Sequence, residues 1–389
     1  MGESVYYQTI SMKTASLERR NIRQLGRAAM GLTLLCTLLI LTSCKEDSPV
    51  SKPVIAAPIS DTLGNVSALD LSFYPEIAFA GTRFRDSNAA AIDLLDFIKS
   101  QGVNTVRLRL WHSPAKRGSS LAQVDSLARI LKQKGLKVWL CLHYSDTWAD
   151  PGHQETPAAW QGLDYSTLKD SLRAYTAKVM QRISPNIVQI GNEINPGFLH
   201  PFGRISDNTP QFKELLALAI EEVRSHDSTC KVMLHYAGVN NATWFFNQMT
   251  GIDFDIMGLS YYPLWHGKDL LEIENSLNSL AQDFPQELLI AETAYPFTLA
   301  WNDWTNNIVG WDEHLILPDY PASAQGQKDF LMHLRQLVLR QGKLIGFAYW
   351  GAEMVAFRGD TASNGSSWEN QALFDFDNNA LPAWEAFRF

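Results

Sequence analysis

Gly135-Leu136-Lys137-Val138-Trp139-Leu140-Cys141-Leu142-His143 joins a glycine, a nearly unbroken apolar run and a histidine. The glycine follows a segment of helical spacing, where a left-handed residue is the usual way to stop a helix. A run with so few polar residues reads as a strand buried on both faces, as in a parallel sheet covered by helices. Similar runs occur at Val66–Phe73, Val103–Trp111, Ile187–Ile190, Lys231–Tyr236, Asp255–Ser260, Leu288–Ala291 and Leu344–Trp350. Gly102 and Gly342 precede two of them as Gly135 precedes this one, so all three are expected to end helices. Helical spacing fills most gaps, as in Ala89-Ile92-Leu95-Ile98 and Phe212-Leu215-Leu216-Ala219-Ile220-Val223. Eight strand–helix units at a rhythm of about 33 residues predict an α/β fold, a (β/α)8 TIM barrel forming a single catalytic domain over 63–389. A doubly wound sheet would need a Gly-rich turn after its first strand, and none is there.

The 389 residues are 46% hydrophobic and 19% charged, enough to bury a large core. Lys and Arg total 33 against 41 Asp and Glu. Five bases and two acids lie in the first 44 residues, which leaves 28 bases against 39 acids beyond them. No nucleic-acid partner is expected, because phosphate binding needs a basic face. Bases from Arg19 to Arg27 precede an apolar stretch, Ala28 to Leu41, too short for a membrane span and suited to a signal peptide. It ends Leu41-Thr42-Ser43-Cys44, similar to a bacterial lipobox. Residues 1–43 are therefore expected to be a lipoprotein signal peptide and Cys44 the lipidated first residue. Residues 44–62, rich in Pro and Ser, would be a flexible tether. The expected product is exported, lipid-anchored in the outer membrane and displayed at the cell surface, touching membrane only through that anchor. Cys141 and Cys230 are read as small core residues rather than a disulfide.

Chemistry in such a barrel gathers at the C-terminal strand ends. Those ends carry Asp70, Arg107 with Arg109, His143, Asn192-Glu193, His235, Tyr261-Tyr262, Glu292 and Trp350. Glu193 and Glu292 are 99 residues apart, three units, so they fall on the fourth and seventh strands and face one another across the mouth. Two opposed carboxyls flanking one bond are the apparatus of glycoside hydrolysis. The nine histidines lack metal-ligand spacing, so no cofactor is expected for catalysis. All twelve Trp lie beyond residue 110, in keeping with flat sugar ligands.

Several longer stretches resemble glycoside hydrolase family 53, the arabinogalactan endo-β-1,4-galactanases. They are Gly102-Val103-Asn104-Thr105-Val106-Arg107-Leu108-Arg109-Leu110-Trp111, the specific run His143-Tyr144-Ser145-Asp146-Thr147-Trp148-Ala149-Asp150-Pro151-Gly152-His153-Gln154, and Gly191-Asn192-Glu193-Ile194. Gly258-Leu259-Ser260-Tyr261-Tyr262-Pro263, Ala291-Glu292-Thr293-Ala294-Tyr295 and Asn370-Gln371-Ala372-Leu373-Phe374-Asp375 complete the set. The resemblance implies a retaining endohydrolase of pectic galactan, Glu193 the acid/base and Glu292 the nucleophile. Arg107 and Tyr261 or Tyr262 would keep Glu292 ionised. Asn192 would bond the sugar 2-OH, and Trp350 would floor the subsite of the attacked sugar. His143 and His235 would orient carboxyls or bind hydroxyls, and Trp148, Asp150 and His153 would hold neighbouring sugars. Arg107, Trp111, Tyr262 and Tyr295 complete the expected substrate-binding set, and Trp265, Trp304 and Trp311 are candidates to lengthen the cleft.

Bacterial members are similar in a structural Ca2+ site, onto which Asp303, Asn307, Ser366 and Glu369 align; Trp301 and Thr305 stand where two further side-chain ligands belong. The expected partner is galactan alone, with the chain a monomer. Two alternatives stay open: an endohydrolase of xylan, mannan or glucan, and a non-catalytic surface glycan-binding lipoprotein.

Overall fold

The computed structural model describes residues 64–115 and 118–389. The expected signal peptide, Cys44 and the tether lie outside the described residues. Eight strands form the barrel: β1 (Val66–Asp70), β2 (Thr105–Leu110), β3 (Lys137–Leu142), β4 (Ile187–Ile190), β5 (Lys231–Ala237), β6 (Ile256–Ser260), β7 (Glu287–Thr293) and β8 (Leu344–Trp350). They pair in parallel, in chain order, and β8 closes on β1. Helices separate the strands, so the predicted (β/α)8 barrel is what forms.

The strands are apolar throughout because both faces are covered. Val66, Ala68, Trp139, Ile187, Met233, Ile256, Leu289, Ala291 and Ala348 fill the barrel interior, and a larger apolar layer lies between strands and helices. Trp139 and Met233 are bulky for so narrow a space, and glycine makes room. A Cβ on Gly258 would stand 2.6 Å from the Met233 sulfur. Cys141 and Cys230 are buried and unbridged.

Gly102 and Gly135 take the left-handed conformation expected of helix stops. Gly342 does not. The helix Ala324–Arg340 instead leaves through an extended Gln341 (φ −98°, ψ 116°), which needs no glycine. The helix expected from Ala89 starts later, at Leu94, because Ala89 is itself left-handed (φ 61°) and the Asp93 carboxylate caps the Asp96 N–H at 2.9 Å. The pairing of β6 with β7 slips between Leu259 and Ser260, and that of β7 with β8 slips on either side of Ile290. Such slips re-aim side chains, and here they fall beside Glu292.

Candidate active site

Glu193 follows β4 through two backbone reversals. Gly191 has φ 72°, and a Cβ there would meet Ile194 at 2.4 Å. Glu193 itself has φ 47°, a conformation a glutamate rarely adopts unless its surroundings enforce it. The turn swings its carboxyl over the barrel axis. Glu292 arrives from the opposite wall, at the bulged end of β7. Oxygens of the two carboxyls approach within 4.8 Å.

The two carboxyls live in different company. Glu292 is buried, and one oxygen pairs with the Arg107 guanidinium at 2.9 Å. The other accepts the Tyr262 hydroxyl at 3.0 Å. Tyr261 turns away and donates to the Gly267 carbonyl, so of the two candidate tyrosines Tyr262 serves Glu292. Glu193 forms no ion pair among the described residues, and the Ser260 hydroxyl donates to it at 2.5 Å. Burial raises the pKa of both groups. For Glu193 the charge of Glu292 adds to this and the value is pushed up to about 8; for Glu292 burial is opposed by Arg107. One proton shared by the pair therefore rests on Glu193.

His235 sets the geometry from behind. Its Nδ1 accepts from the Gln189 amide at 3.0 Å and faces the Glu193 N–H at 3.4 Å. The ring proton is thus on Nε2, which donates to Ser260 Oγ at 3.0 Å. Burial and Arg107 keep the imidazole neutral, its pKa well below the ordinary value. His235, Glu193 and Glu292 converge closely enough to hold a metal ion. Both imidazole nitrogens are already used, however, so His235 orients Glu193 through Ser260 and binds neither metal nor sugar hydroxyl.

Arg107 was expected to touch substrate, but the structure buries it below the carboxyls. It binds Asp70 at 2.8 Å, Gln189 at 3.2 Å and Asn192 Oδ1 at 2.7 Å besides Glu292. The Asn192 amide is oriented by that bond and by its own donation to Ala149 O at 2.8 Å. Its remaining N–H is available to a sugar hydroxyl. His143 accepts the Ala149 N–H on Nδ1 at 3.1 Å, so its proton is on Nε2. Burial and the two arginines keep it neutral.

Above the carboxyls runs an aromatic wall. Trp350 meets Trp148 at 5.8 Å and Trp368 at 6.4 Å, and Trp368 meets Tyr262 and Trp265. Trp111 stands behind Trp148, edge to face at 5.4 Å. Asp150 and His153 pair at 3.0 Å on the exposed loop beyond Trp148. Trp304 and Trp311 are largely exposed. Tyr295 is not at the mouth. It stacks on Phe330 at 4.4 Å, its hydroxyl donates to Tyr320 O and accepts the Ile316 N–H, and it belongs to the packing behind β7.

Sequence reasoning missed Gln189, Ser260, Trp368 and Glu353. Gln189 had a readable signal, a lone amide inside an apolar strand. Ser260 had a weaker one, a small hydroxyl at the end of β6. Trp368 and Glu353 sit in a loop after β8 whose path no periodicity shows, and the buried Glu353 acts electrostatically on Arg109.

The loops after β7 and β8 meet at a second polar cluster. Asp303 Oδ2, Asn307 Oδ1 and Glu369 Oε2 are buried without a hydrogen-bond partner. Gly365 allows the close approach, since a Cβ would lie 2.1 Å from Asp303 Oδ2. Ser366 differs: its hydroxyl donates to Met354 O and accepts the Trp368 N–H. Thr305 Oγ1 is likewise engaged, with Ala362 O and the Gly365 N–H.

Residues 66–387 match the profile of Glycosyl hydrolase family 53. The chain is 35% identical over 339 residues to the arabinogalactan endo-beta-1,4-galactanase of Cellvibrio japonicus, a match covering 82% of this chain and 89% of that protein. Among solved structures, the Ignisphaera aggregans GH53 catalytic domain superposes with a TM-score of 0.78 at 35% identity, covering 87% of this chain and 98% of that one. A fungal beta-1,4-galactanase superposes with a TM-score of 0.71 at 30% identity, covering 82% and 98%.

Proposed function

Since the chain belongs to glycosyl hydrolase family 53 and is a glycoside hydrolase, we propose that it is an endo-β-1,4-galactanase that cleaves internal bonds of galactan, the type I arabinogalactan of pectin, with retention. One observation carries the stereochemical part: carboxyl oxygens within 4.8 Å of one another. Retaining pairs stand roughly 5–5.5 Å apart, and inverting pairs leave roughly 6.5–9.5 Å for a water. In the first step Glu292 attacks the anomeric carbon while Glu193 protonates the departing oxygen. A glycosyl ester forms on Glu292 and the aglycone leaves. Esterification removes the negative charge that helped raise the Glu193 pKa, so Glu193 is then suited to take a proton from the water that cleaves the ester. Asn192 would bond the 2-OH and Trp350 would floor the attacked sugar.

The soluble domain from residue 64 should release reducing ends from galactan, with the β-anomer formed first by NMR, and should leave xylan, mannan and glucan intact. In cells making the full chain the activity should sediment with membranes, and Cys44→Ala should free it. Binding without turnover would favour the non-catalytic alternative, against which the opposed carboxyls argue.

The cluster between the β7 and β8 loops supports a structural Ca2+. Oxygen-only donors suit that ion, and buried carboxylates with unpartnered oxygens are costly without a cation. Asp303, Asn307 and Glu369 would hold it, the remaining ligands being backbone carbonyls or water, and the ion would tie the loops together. Saturating Ca2+ at a hundredfold excess over Kd adds about 2.7 kcal/mol. Chelation should accordingly lower Tm by roughly 4 °C, and Asp303→Ala should abolish that difference. A Tm indifferent to chelator would remove calcium from the site.

A further inference from the structure

Arg109 is a buried cation, 3% exposed, that joins none of the ion pairs among the described residues, whereas Arg107 next to it has two carboxylate partners. Its company is aromatic instead. The guanidinium carbon lies 4.0 Å from the ring centroid of Trp148, 4.2 Å from that of Trp111 and 4.7 Å from that of Phe73. Nε donates to Ser119 Oγ at 2.9 Å, which fixes the plane of the group, and Nη1 is buried with no partner. Burial lowers its pKa to about 10, so it keeps its charge at neutral pH. Asp70 and Glu353 favour its charge without pairing with it, and the faces of the rings around it hold the guanidinium in place.

Trp148 is the most exposed of the three rings, at 37%, and it stands at the cleft against Trp350. It belongs to a loop, where side-chain orientation is weakly determined by the backbone. We infer that Arg109 is a positioning residue that clamps the Trp148 indole upright, so that this ring offers a pre-set face to the sugar next to the one attacked. The assignment rests on the proposed galactanase reading. A preset platform spares the cost of ordering the indole when the chain binds. The clamp needs a flat cation, because an ammonium is a point charge that cannot lie against several rings.

The test is a double-mutant cycle on galactan. Trp148→Ala and Arg109→Met should each raise KM about tenfold with little change in kcat, Arg109→Lys should not rescue, and the double variant should be no worse than Trp148→Ala alone. Multiplicative effects, near a hundredfold in the double variant, would show that Arg109 acts elsewhere and overturn the inference. So would an Arg109→Met KM equal to wild type. If Arg109→Met fails to fold, Ser119→Ala loosens the same guanidinium and should raise KM a few-fold only when Trp148 is present; an equal rise without Trp148 overturns the inference. A wild type inactive on galactan sinks the proposed function instead. The cycle, read as affinity for whichever polysaccharide the protein does bind, then still decides Arg109.

Discussion

Glu292→Gln should lower kcat on galactan by about 10^5-fold while the domain stays folded and binds the polysaccharide with near wild-type affinity. The amide keeps the shape of the side chain and can still meet the Tyr262 hydroxyl and Arg107, so the local packing survives. What it lacks is the anionic carboxylate oxygen that forms the bond to the anomeric carbon. The carboxylate also balances Arg107, whose guanidinium is shared among Asp70, Glu292 and Asn192. Loss of that balance should move the Asn192 amide slightly and leave the aromatic wall in place. A smaller Glu292→Gly variant given azide should recover turnover, with the α-azide as product, because the anion enters from the nucleophile's side. Reducing-end release undiminished in Glu292→Gln would remove the residue from the mechanism.

Glu193→Gln should cost about 10^3-fold on galactan, and the loss should depend on the leaving group. A sugar oxygen needs a proton as it departs; a dinitrophenolate does not. On a dinitrophenyl galactoside the first step should therefore survive and the second, which needs a base, should become limiting, giving a burst followed by a slow steady state. Azide should speed that steady state and yield the β-azide. The same residue sets the alkaline limb of the pH profile. The working form of Glu193 carries the proton, so kcat/KM persists below its pKa and falls as pH rises through about 8. The working form of Glu292 is ionised, so the acid limb falls as pH drops through its own pKa. Ser260→Ala removes the hydroxyl that donates to the Glu193 carboxylate, and the alkaline limb should move up. An alkaline limb unmoved by Glu193→Gln would assign that titration to another group.

The local rhythm of the chain carried the architecture. All eight strands stand where the apolar runs are, because burial on both faces is a property of each segment alone. Strand ends were equally legible: a polar residue closing an apolar run has nowhere to go but the rim. The role of a rim residue was not. Arg107 and Tyr295 were both expected at the substrate, yet one lies beneath the carboxyls and the other behind β7. Their neighbours come from strands and helices far away in sequence, and burial depends on those neighbours.

Read alone, the chain determined that it makes a closed ring of parallel strands and that two glutamates stand on opposite sides of its mouth. Those facts follow from periodicity and from counting repeats, which act over a few residues at a time. Only the folded molecule decided that the carboxyls come within 4.8 Å, that one is held by a guanidinium and the other by a serine, and that an unpaired arginine lies under the cleft wall. Strand register, bulges and desolvation decide such things, and each is the joint product of segments that meet only after the barrel has closed.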